Sequence, residues 1–487
     1  MRFHRTNTVC AVAVLVTASA LQGCGDEITP PPADPGLGSS SSGGAAGEGG
    51  MGGAGGGASS GSSIASSSSS SGGGQGGMGG QGGGGITDLC GDGIVGVSEG
   101  CDDDNMQSGD GCSMGCMVES GYVCMGAPSV CADINECAMN NGGCGANQMC
   151  VNTPGSFDCV NGCSADPPGF GNAVFTIGPS AAVAALCNAQ TLVGNQSTNK
   201  LEVRTSTGTI GSSYSLPDKP SDIVYDVATN TAYVTLFNTM AATTDLVRVN
   251  LTTGVVTSIP IGGVGLRIAL GNNGRVFVTM SDALSFPNRP IALVDGPNAT
   301  LLHTFLVPYA GNLIAFDRGS NLLYLADEGA SPSKLERYGF DPVGQTLTLL
   351  QSRADTGNNG VDLAISPDGL HVAFSCSQGN QSNPLDYKLH DINSMDLNAV
   401  YGIWNTGLFP AAAVFAPNNL RLMATNGTTM RRFTMDTHTA LSENVLQPCT
   451  NGAVRRIAVS PGGTFTYVLT ACGAPPSSGL LARIYYP

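Results

Sequence analysis

The sequence predicts a mainly β protein in which small disulfide-rich modules precede a β-propeller of seven blades. Two observations support this prediction. Most of the 17 cysteines cluster in the first 190 residues, which is typical of small modules held together by disulfides. The rest of the chain consists of short β-branched and aliphatic runs separated by Gly, Asn, Asp and Pro, as expected of consecutive strands.

Charge and cysteine content limit where the protein works and what it binds. The net charge is −16 at pH 7, and no Lys or Arg occurs between Arg5 and Lys200. Nucleic-acid binding needs a cationic surface, so we expect no nucleic-acid partner. The clustered cysteines indicate an oxidising compartment.

Residues 1–23 have the pattern of a signal peptide. Arg2 and Arg5 precede the apolar run "VCAVAVLVTASAL", which is too short to span a bilayer comfortably. The run ends in "LQGC", which resembles the bacterial lipobox, although Gln22 is bulkier and more polar than the residue usual at its position. The resemblance implies that Cys24 is lipidated and anchors the protein to a membrane of the cell envelope, with the outer membrane or cell surface as the expected location.

Residues 24–87 are predicted to form a tether. After Cys24 the segment is dominated by Gly, Ser, Ala and Pro, and it includes "SSIASSSSSSGGGQGGMGGQGGGG". Such a composition cannot bury enough apolar surface to fold. We therefore expect it to hold the following domains away from the lipid surface.

Residues 88–131 are predicted to form a small disulfide-stapled unit. Its six cysteines allow 15 connectivities, which spacing alone does not separate. They are Cys90, Cys101, Cys112, Cys116, Cys124 and Cys131. The stretch "CGDGIVGVSEGCDDDNMQSGDGCSMGCMVESGYVC" resembles the cysteine-rich repeat of myxobacterial surface proteins, with Asp104 where that repeat has Gly. This resemblance implies a location rather than an activity.

The acidic run inside this unit raises the question of a cation site. Asp102, Asp104 and Asp110 are the candidate ligands. The run departs from the calcium loop of EF-hand proteins because Met106 stands where an oxygen is needed. Asx turns explain the aspartates adequately, and this is the interpretation we favour.

Residues 132–166 contain the strongest chemical signal in the chain. The stretch "DINECAMNNGGCGANQMCVNTPGSFDC" resembles a calcium-binding EGF-like domain. Calcium takes six to eight oxygen ligands, and the motif supplies side-chain and backbone oxygens. The resemblance implies side-chain ligation by Asp133, Glu136 and Asn152, and backbone ligation by Ile134, Thr153 and Ser156. Asn135 also fits the motif.

The same resemblance implies a disulfide order. It pairs Cys137 with Cys150 and Cys144 with Cys159. Cys163 comes later than the usual fifth cysteine, and the next cysteine is Cys187. Either the module is truncated, or Cys163 bridges to Cys187 and joins the module to the following domain.

Residues 167–487 contain an internal repeat that predicts the propeller. Strand pairs such as "SDIVYDVATNTAYVTLF" and "VDLAISPDGLHVAFSC" recur, and their turn residues lie 44 to 50 positions apart. We take these turn residues to be Gly178, Asp226, Gly271, Asp317, Ser366, Ala416 and Ser460. The last unit has three obvious strands, so either the ring borrows a strand from near Phe170 or it is irregular. The turns "SPDG" and "SPGG" resemble those of YVTN and lactonase-like seven-bladed propellers, which implies the fold and little about activity.

Catalytic signals in the propeller are weak. His303, His371, His390 and His438 are scattered without metal-type spacing, and no serine lies in a nucleophile elbow. Cys449 and Cys472 are close enough in sequence to pair, which leaves Cys376 as a buried thiol.

Two functions follow from these observations. We expect a surface protein whose propeller binds an unknown protein, glycan or small molecule, with calcium in the EGF-like module. The alternative is a surface-anchored lactonase-like hydrolase. Converging carboxylates, His or Arg in the axial funnel favour the enzyme, whereas a broad Ser, Asn and Tyr surface favours the binding protein.

Overall fold

The structure is a computed structural model that describes residues 89–486 except 139, 146–147, 162–168, 239–242, 282–287, 309–310, 329–331, 355, 379–387, 408–409, 418–420, 447–448, 450–451 and 474–477. The predicted signal peptide (1–23), the predicted lipidation site Cys24, the predicted tether and Cys163 lie outside the described residues. No helix in the described part of the chain is long and apolar enough to cross a bilayer.

Two hairpins and two short 3-10 helices precede the large domain. The strands are β1 (Tyr122–Met125), β2 (Val130–Asp133), β3 (Gln148–Thr153) and β4 (Ser156–Asn161), and the helices are Glu136–Ala138 and Asn140–Gly143. The β3–β4 turn is Pro154-Gly155, in which Gly155 has φ +68°. Proline followed by a glycine with positive φ is the pairing that a tight type II turn requires.

Disulfides connect these small modules internally. Cys90 pairs with Cys116, Cys101 with Cys112, and Cys124 with Cys131, which selects one of the 15 connectivities. Cys137 pairs with Cys150 and Cys144 with Cys159, which is the order that the EGF-like resemblance implies. Cys187 is also disulfide-bonded.

Seven antiparallel sheets of four strands follow, which confirms the predicted fold class. The first strand in sequence after the small modules is β5 (Ala173–Ile177). Blades 1 to 3 consist of β6 (Ser180–Ala185), β7 (Thr191–Asn195), β8 (Lys200–Arg204) and β9 (Ile210–Ser215); β10 (Lys219–Asp226), β11 (Thr231–Phe237), β12 (Asp245–Asn250) and β13 (Val256–Pro260); and β14 (Val264–Leu270), β15 (Arg275–Ser281), β16 (Asn288–Asp295) and β17 (Thr300–Pro308).

The remaining four blades have the same order of strands. Blades 4 to 6 consist of β18 (Leu313–Asp317), β19 (Leu322–Ala326), β20 (Leu335–Asp341) and β21 (Thr346–Arg353); β22 (Asn358–Ile365), β23 (His371–Gln378), β24 (Leu389–Asn393) and β25 (Val400–Trp404); and β26 (Ala412–Phe415), β27 (Arg421–Thr425), β28 (Thr429–Thr434) and β29 (Ala440–Val445). Blade 7 consists of β30 (Ala453–Val459), β31 (Phe465–Cys472), β32 (Ser478–Tyr485) and β5. A third 3-10 turn, Asn272–Gly274, joins β14 to β15.

The ring closes with a strand borrowed from the start of the domain. β5 pairs with β32, with Phe175 opposite Leu481. The first strands of neighbouring blades contact one another around the ring, and β30 of blade 7 contacts β6 of blade 1. Closure therefore follows the first of the two alternatives, the one in which a strand near Phe170 completes blade 7.

The sequence-based alignment of the first blade was wrong by one strand. The sequence predicts "NAVFTIGPSAAVAALCN" to be the first strand pair of a blade, but the segment combines β5 of blade 7 with β6 of blade 1. The turn residue equivalent to Ser366 is Leu186, whose N–H donates to the carbonyl of Gln190 at 2.9 Å, as that of Ser366 does to His371. Gly178 instead lies between the two blades. The error arose because β5 has an ordinary strand pattern, while its partner is more than 300 residues away.

The core lies between adjacent blades. The second strands, such as β7 and β19, are buried along their whole length, whereas the fourth strands β9 and β21 are largely exposed. Between blades 3 and 4, Phe277 stacks on Phe316 with ring centroids 4.9 Å apart. A disulfide joins Cys449 to Cys472, and Cys376 is a buried thiol that donates to the carbonyl of Thr356.

Candidate metal centre

The candidate metal centre begins where β2 ends, at Asp133. Asn152 Nδ2 on β3 donates to Asp133 Oδ2 at 2.6 Å, and the Gly155 N–H donates to Oδ1 at 2.6 Å. The Ile134 N–H donates to the carbonyl of Gly121 at 2.7 Å. The acidic arm is therefore attached to the β3–β4 hairpin by one side chain and to the preceding module by the backbone.

Several oxygens at this place are buried without a hydrogen bond. Asn135 Oδ1, Glu136 Oε2 and Asn152 Oδ1 have no donor among the described residues. A buried polar atom left unsatisfied costs about 1–3 kcal/mol, so three together are unusual in a native structure. Carboxylate and amide oxygens are the ligands that calcium takes. The residues present therefore fit a calcium ion.

The electrostatics of Asp133 point in the same direction. Burial raises the pKa of Asp133 to about 6, the hydrogen bonds from Gly155 and Asn152 oppose this, and the carboxylates of Glu136 and Asp317 raise it further. A cation bound nearby would offset the repulsion between these carboxylates and favour their charged forms. The site is negatively charged, and the EGF-like module has no basic side chain to balance it.

The structure brings together part of the predicted ligand set. Asp133 and Asn152 are in contact, and Glu136 is close enough to act on Asp133 electrostatically. Thr153 and Ser156, two of the expected carbonyl donors, face each other across the β3–β4 turn. Ile134, the third, follows β2 directly and exposes its side chain.

Residues of the propeller lie against this site, which the sequence did not predict. Asn135 Nδ2 donates to the carbonyl of Pro367, between β22 and β23, at 2.9 Å. A methyl group placed on Gly319 would lie 3.0 Å from Asp133 Oδ2 and 3.5 Å from Asp317 Oδ1. A cavity of about 190 Å³ separates the module from blades 4 and 5, and Asn152 and Asp317 both line it. Asp317 was expected only as a turn residue.

The acidic run of the cysteine-rich unit is differently arranged. Burial opposes ionisation of Asp102, but backbone N–H groups that donate at 2.8 to 3.2 Å hold its pKa below the ordinary value; they belong to Gly91, Asp92, Gly93 and Asp104. Asp104, which replaces the repeat's Gly, has φ +66°. The compact group of Glu99, Asp102 and Cys116 is not a metal site, because Cys116 is in a disulfide.

A layer of charged side chains lines the axis of the propeller. Asp222, Arg267, Asp362 and Arg456 each follow an irregularity in the first strand of their blade. Arg456 Nε lies 3.3 Å from Asp222 Oδ1, and Arg267 pairs with Glu328. Burial raises the pKa of Asp362 to about 7, although the Ala413 N–H and Arg267 favour its charged form. Carboxylates and arginines thus converge here, which is the arrangement that favours an enzyme over a binding protein.

Two of the scattered histidines meet in the fold. His371 Nδ1 lies 2.9 Å from Asp391 Oδ1, and His438 Nε2 lies 2.8 Å from Asp391 Oδ2. Asp391 is fully buried. Local spacing did not reveal this group because its members lie on β23, on β24 and in the loop after β28.

Comparison with known proteins identifies the module that contains Asp133. Residues 133–173 match the family model of the calcium-binding EGF domain. The match extends past the expected boundary at residue 166. A 46-residue stretch is 48% identical to mouse Hemicentin-2, over 9% of this chain and 1% of that protein. The chain thus spans a very small part of the curated relative that it matches.

A solved structure also resembles this chain in part. It is that of Kuenenia stuttgartiensis hydrazine synthase, with a TM-score of 0.49 and 13% identity over 64% of this chain and 96% of that chain. A similarity of this size carries no argument about activity.

Proposed function

We propose that this protein is a cell-surface lipoprotein in which a calcium-binding EGF-like module presents a seven-bladed propeller for ligand binding, interaction or adhesion. The observation that carries the proposal is the group of buried, unpartnered oxygens on Asn135, Glu136 and Asn152 beside the carboxylate of Asp133. The match to the calcium-binding EGF domain supports the same metal. The ligand of the propeller is a protein, a glycan or a small molecule.

A calcium titration by calorimetry tests the metal part of this proposal. We expect the disulfide-bonded chain to bind calcium with a dissociation constant of the order of 10⁻⁴ to 10⁻³ M, as extracellular modules do. Asn152→Ala should abolish binding. Asp158→Asn, which removes an exposed carboxylate from β4 of the same hairpin, should retain it. Absence of saturable binding in the wild-type chain would contradict the proposal.

The membrane anchor is tested separately. Metabolic labelling with a fatty-acid analogue should label the wild-type protein and fail with Cys24→Ala. Labelled wild-type protein should sediment with the membrane fraction. Protease treatment of intact cells then distinguishes a surface location from one facing the periplasm.

The axial charged layer supports a second candidate, the lactonase-like hydrolase. An apolar cavity of about 390 Å³ lies among the first strands of several blades, where Ile223, Val414 and Ile457 help to line it. The charged side chains of the layer lie on these strands or their neighbours and do not line the cavity itself. This volume is within the range of small-molecule sites. Asp362, with a pKa of about 7, is the candidate general base.

A panel of lactones and carboxylic esters tests the second candidate. A hydrolase should show turnover that Asp362→Asn lowers by about 10²- to 10⁴-fold, the usual contribution of a general base. Asp158→Asn is the control. Equal rates in wild-type protein and Asp362→Asn would remove the enzyme from consideration.

A further inference from the structure

Asp317 differs from other turn residues of the propeller in how its carboxylate is satisfied. It ends β18 and exposes only 3% of its surface. Oδ1 accepts a hydrogen bond from the Gly319 N–H at 3.0 Å, whereas Oδ2 is buried and has no donor among the described residues. A buried carboxylate oxygen without a donor is costly unless a cation or a water compensates it.

Asp226 at the end of β10 is the matched comparison. Its Oδ1 accepts from the Ala228 N–H at 3.1 Å, and its Oδ2 accepts from the Thr229 hydroxyl at 2.7 Å. Both oxygens of Asp226 are therefore used by its own turn. The Asp317 turn has Ser320 in the place of Thr229, and Ser320 favours the charged form of Asp317, but no donor among the described residues lies within hydrogen-bonding distance of Oδ2. A further partner would complete this carboxylate.

Gly319 shows what lies beside Asp317. Its φ is not in the left-handed region, so the backbone does not require glycine there. A methyl group at this position would lie 2.9 Å from Asn152 Nδ2 and 3.0 Å from Asp133 Oδ2. The absence of a side chain at 319 therefore allows the EGF-like site and Asp317 to approach each other.

The charges in this junction are nearly all negative. Burial raises the pKa of Asp317 to about 6, hydrogen bonds from Ser320 and Gly319 oppose this, and the Asp368 carboxylate raises it further. Glu136 and Asp317 in turn raise the pKa of Asp133, which burial has already raised.

The EGF-like module contributes no Lys or Arg, since none occurs between Arg5 and Lys200. Arg318 lines the same cavity and is the one basic side chain among its lining residues, and its charge also acts on Asp226. A divalent cation is the compensating charge that this junction lacks.

We infer that Asp317 of the propeller and the EGF-like module hold one shared calcium ion, so that calcium binding fixes the module against blades 4 and 5. This inference rests on the proposed calcium binding and adds a ligand group from another domain. The Asn135 hydrogen bond to Pro367 places the two surfaces in contact, and the cavity that Asn152 and Asp317 line leaves room for the ion between them.

Calorimetry on the full disulfide-bonded chain tests the inference. Asp317→Asn should weaken calcium binding by about 10- to 100-fold, the range seen when a supporting group of a metal site is removed. Asp226→Asn, the equivalent turn residue in blade 2, should leave the affinity unchanged. If Asp317→Asn fails to fold, Gly319→Ala places a methyl group in the junction and should weaken binding as well.

Hydrogen exchange gives a second readout that a separate EGF-like site would not produce. Calcium should slow amide exchange in the β18–β19 turn of wild-type protein as well as in the β3–β4 hairpin. In Asp317→Asn, protection should be confined to the hairpin. Wild-type affinity in Asp317→Asn together with an unprotected β18–β19 turn would overturn the inference and leave the proposed function intact. Absence of calcium binding in the wild-type chain would contradict both this inference and the proposed function.

Discussion

The side-chain amide of Asn135 donates a hydrogen bond to the main-chain carbonyl of Pro367 at 2.9 Å, and the two residues are 232 positions apart in the sequence. This contact joins the acidic arm of the EGF-like module to the turn between β22 and β23.

Asn135→Ala should lower the free energy of unfolding by about 1 kcal/mol, the usual contribution of one hydrogen bond. The loss should also leave the carbonyl of Pro367 without its donor. Thermal unfolding with calcium removed by a chelator measures the effect of this hydrogen bond alone. Ser258→Ala, on the exposed strand β13, is the control and should change stability by less than about 0.5 kcal/mol.

Phe175→Ala should lower the free energy of unfolding of the propeller by about 2–4 kcal/mol. Phe175 on β5 packs in blade 7, and the loss of its side chain leaves a cavity. Its ring also lies 5.6 Å from the Arg483 guanidinium. Denaturant titration gives the free energy of unfolding. Val174→Ala, the exposed neighbour on the same strand, should have a much smaller effect. Equal losses in both variants would show that β5 is not a packed closing strand.

The pairing of Cys449 with Cys472 should stabilise blade 7. Replacing both cysteines with Ala removes a cross-link between residues 23 positions apart, which should cost about 2–4 kcal/mol. The measurement is thermal unfolding with and without reductant. Reductant should lower the melting temperature of the double variant less than that of the wild-type protein, because this bond is already absent. In Cys376→Ala, reductant should lower the melting temperature as much as in the wild-type protein.

The stability of the propeller should fall as the pH rises past neutrality, because of Asp391. Burial opposes protonation of His371, but Asp391 together with Asp368 and Asp436 raises its pKa above the ordinary 6.5. A raised pKa stabilises the fold fully below pH 6.5, and this contribution is lost as the pH rises through the folded-state value. Asp391→Asn should flatten the pH dependence of the melting temperature, and Asp158→Asn should not.

Asp362 should contribute a second pH dependence of the same sign. Its pKa is 3.8 in the unfolded chain and about 7 in the fold, where Arg267, Asp222 and the Ala413 N–H surround it. The contribution is present at pH 3.8 and below and disappears as the pH rises through about 7. Asp362→Asn should remove about 1–4 kcal/mol of this change, since a pKa difference of one corresponds to about 1.4 kcal/mol. An unchanged profile between pH 4 and 8 would contradict the assignment.

The features that the sequence predicts correctly depend on residues that are close together in the chain. The candidate oxygen ligands Asp133, Glu136 and Asn152 and the cysteine spacing are properties of a short stretch of sequence. The resemblance to an EGF-like module is therefore visible before any fold is known. Strand pairs within a blade are joined by short turns. They were predictable for the same reason, and only the first pair was misaligned because Gly178 follows a strand that belongs to blade 7.

The sequence by itself determined the module order, the seven-fold repeat and the candidate calcium ligands, because each depends on residues close together in the chain. The tertiary structure decided which distant residues meet. It placed β5 beside β32, Asp317 beside Asp133, and His371 and His438 on Asp391. These contacts form because the closed ring and the docked module bury the residues together, and no local pattern encodes which buried charge lies opposite another.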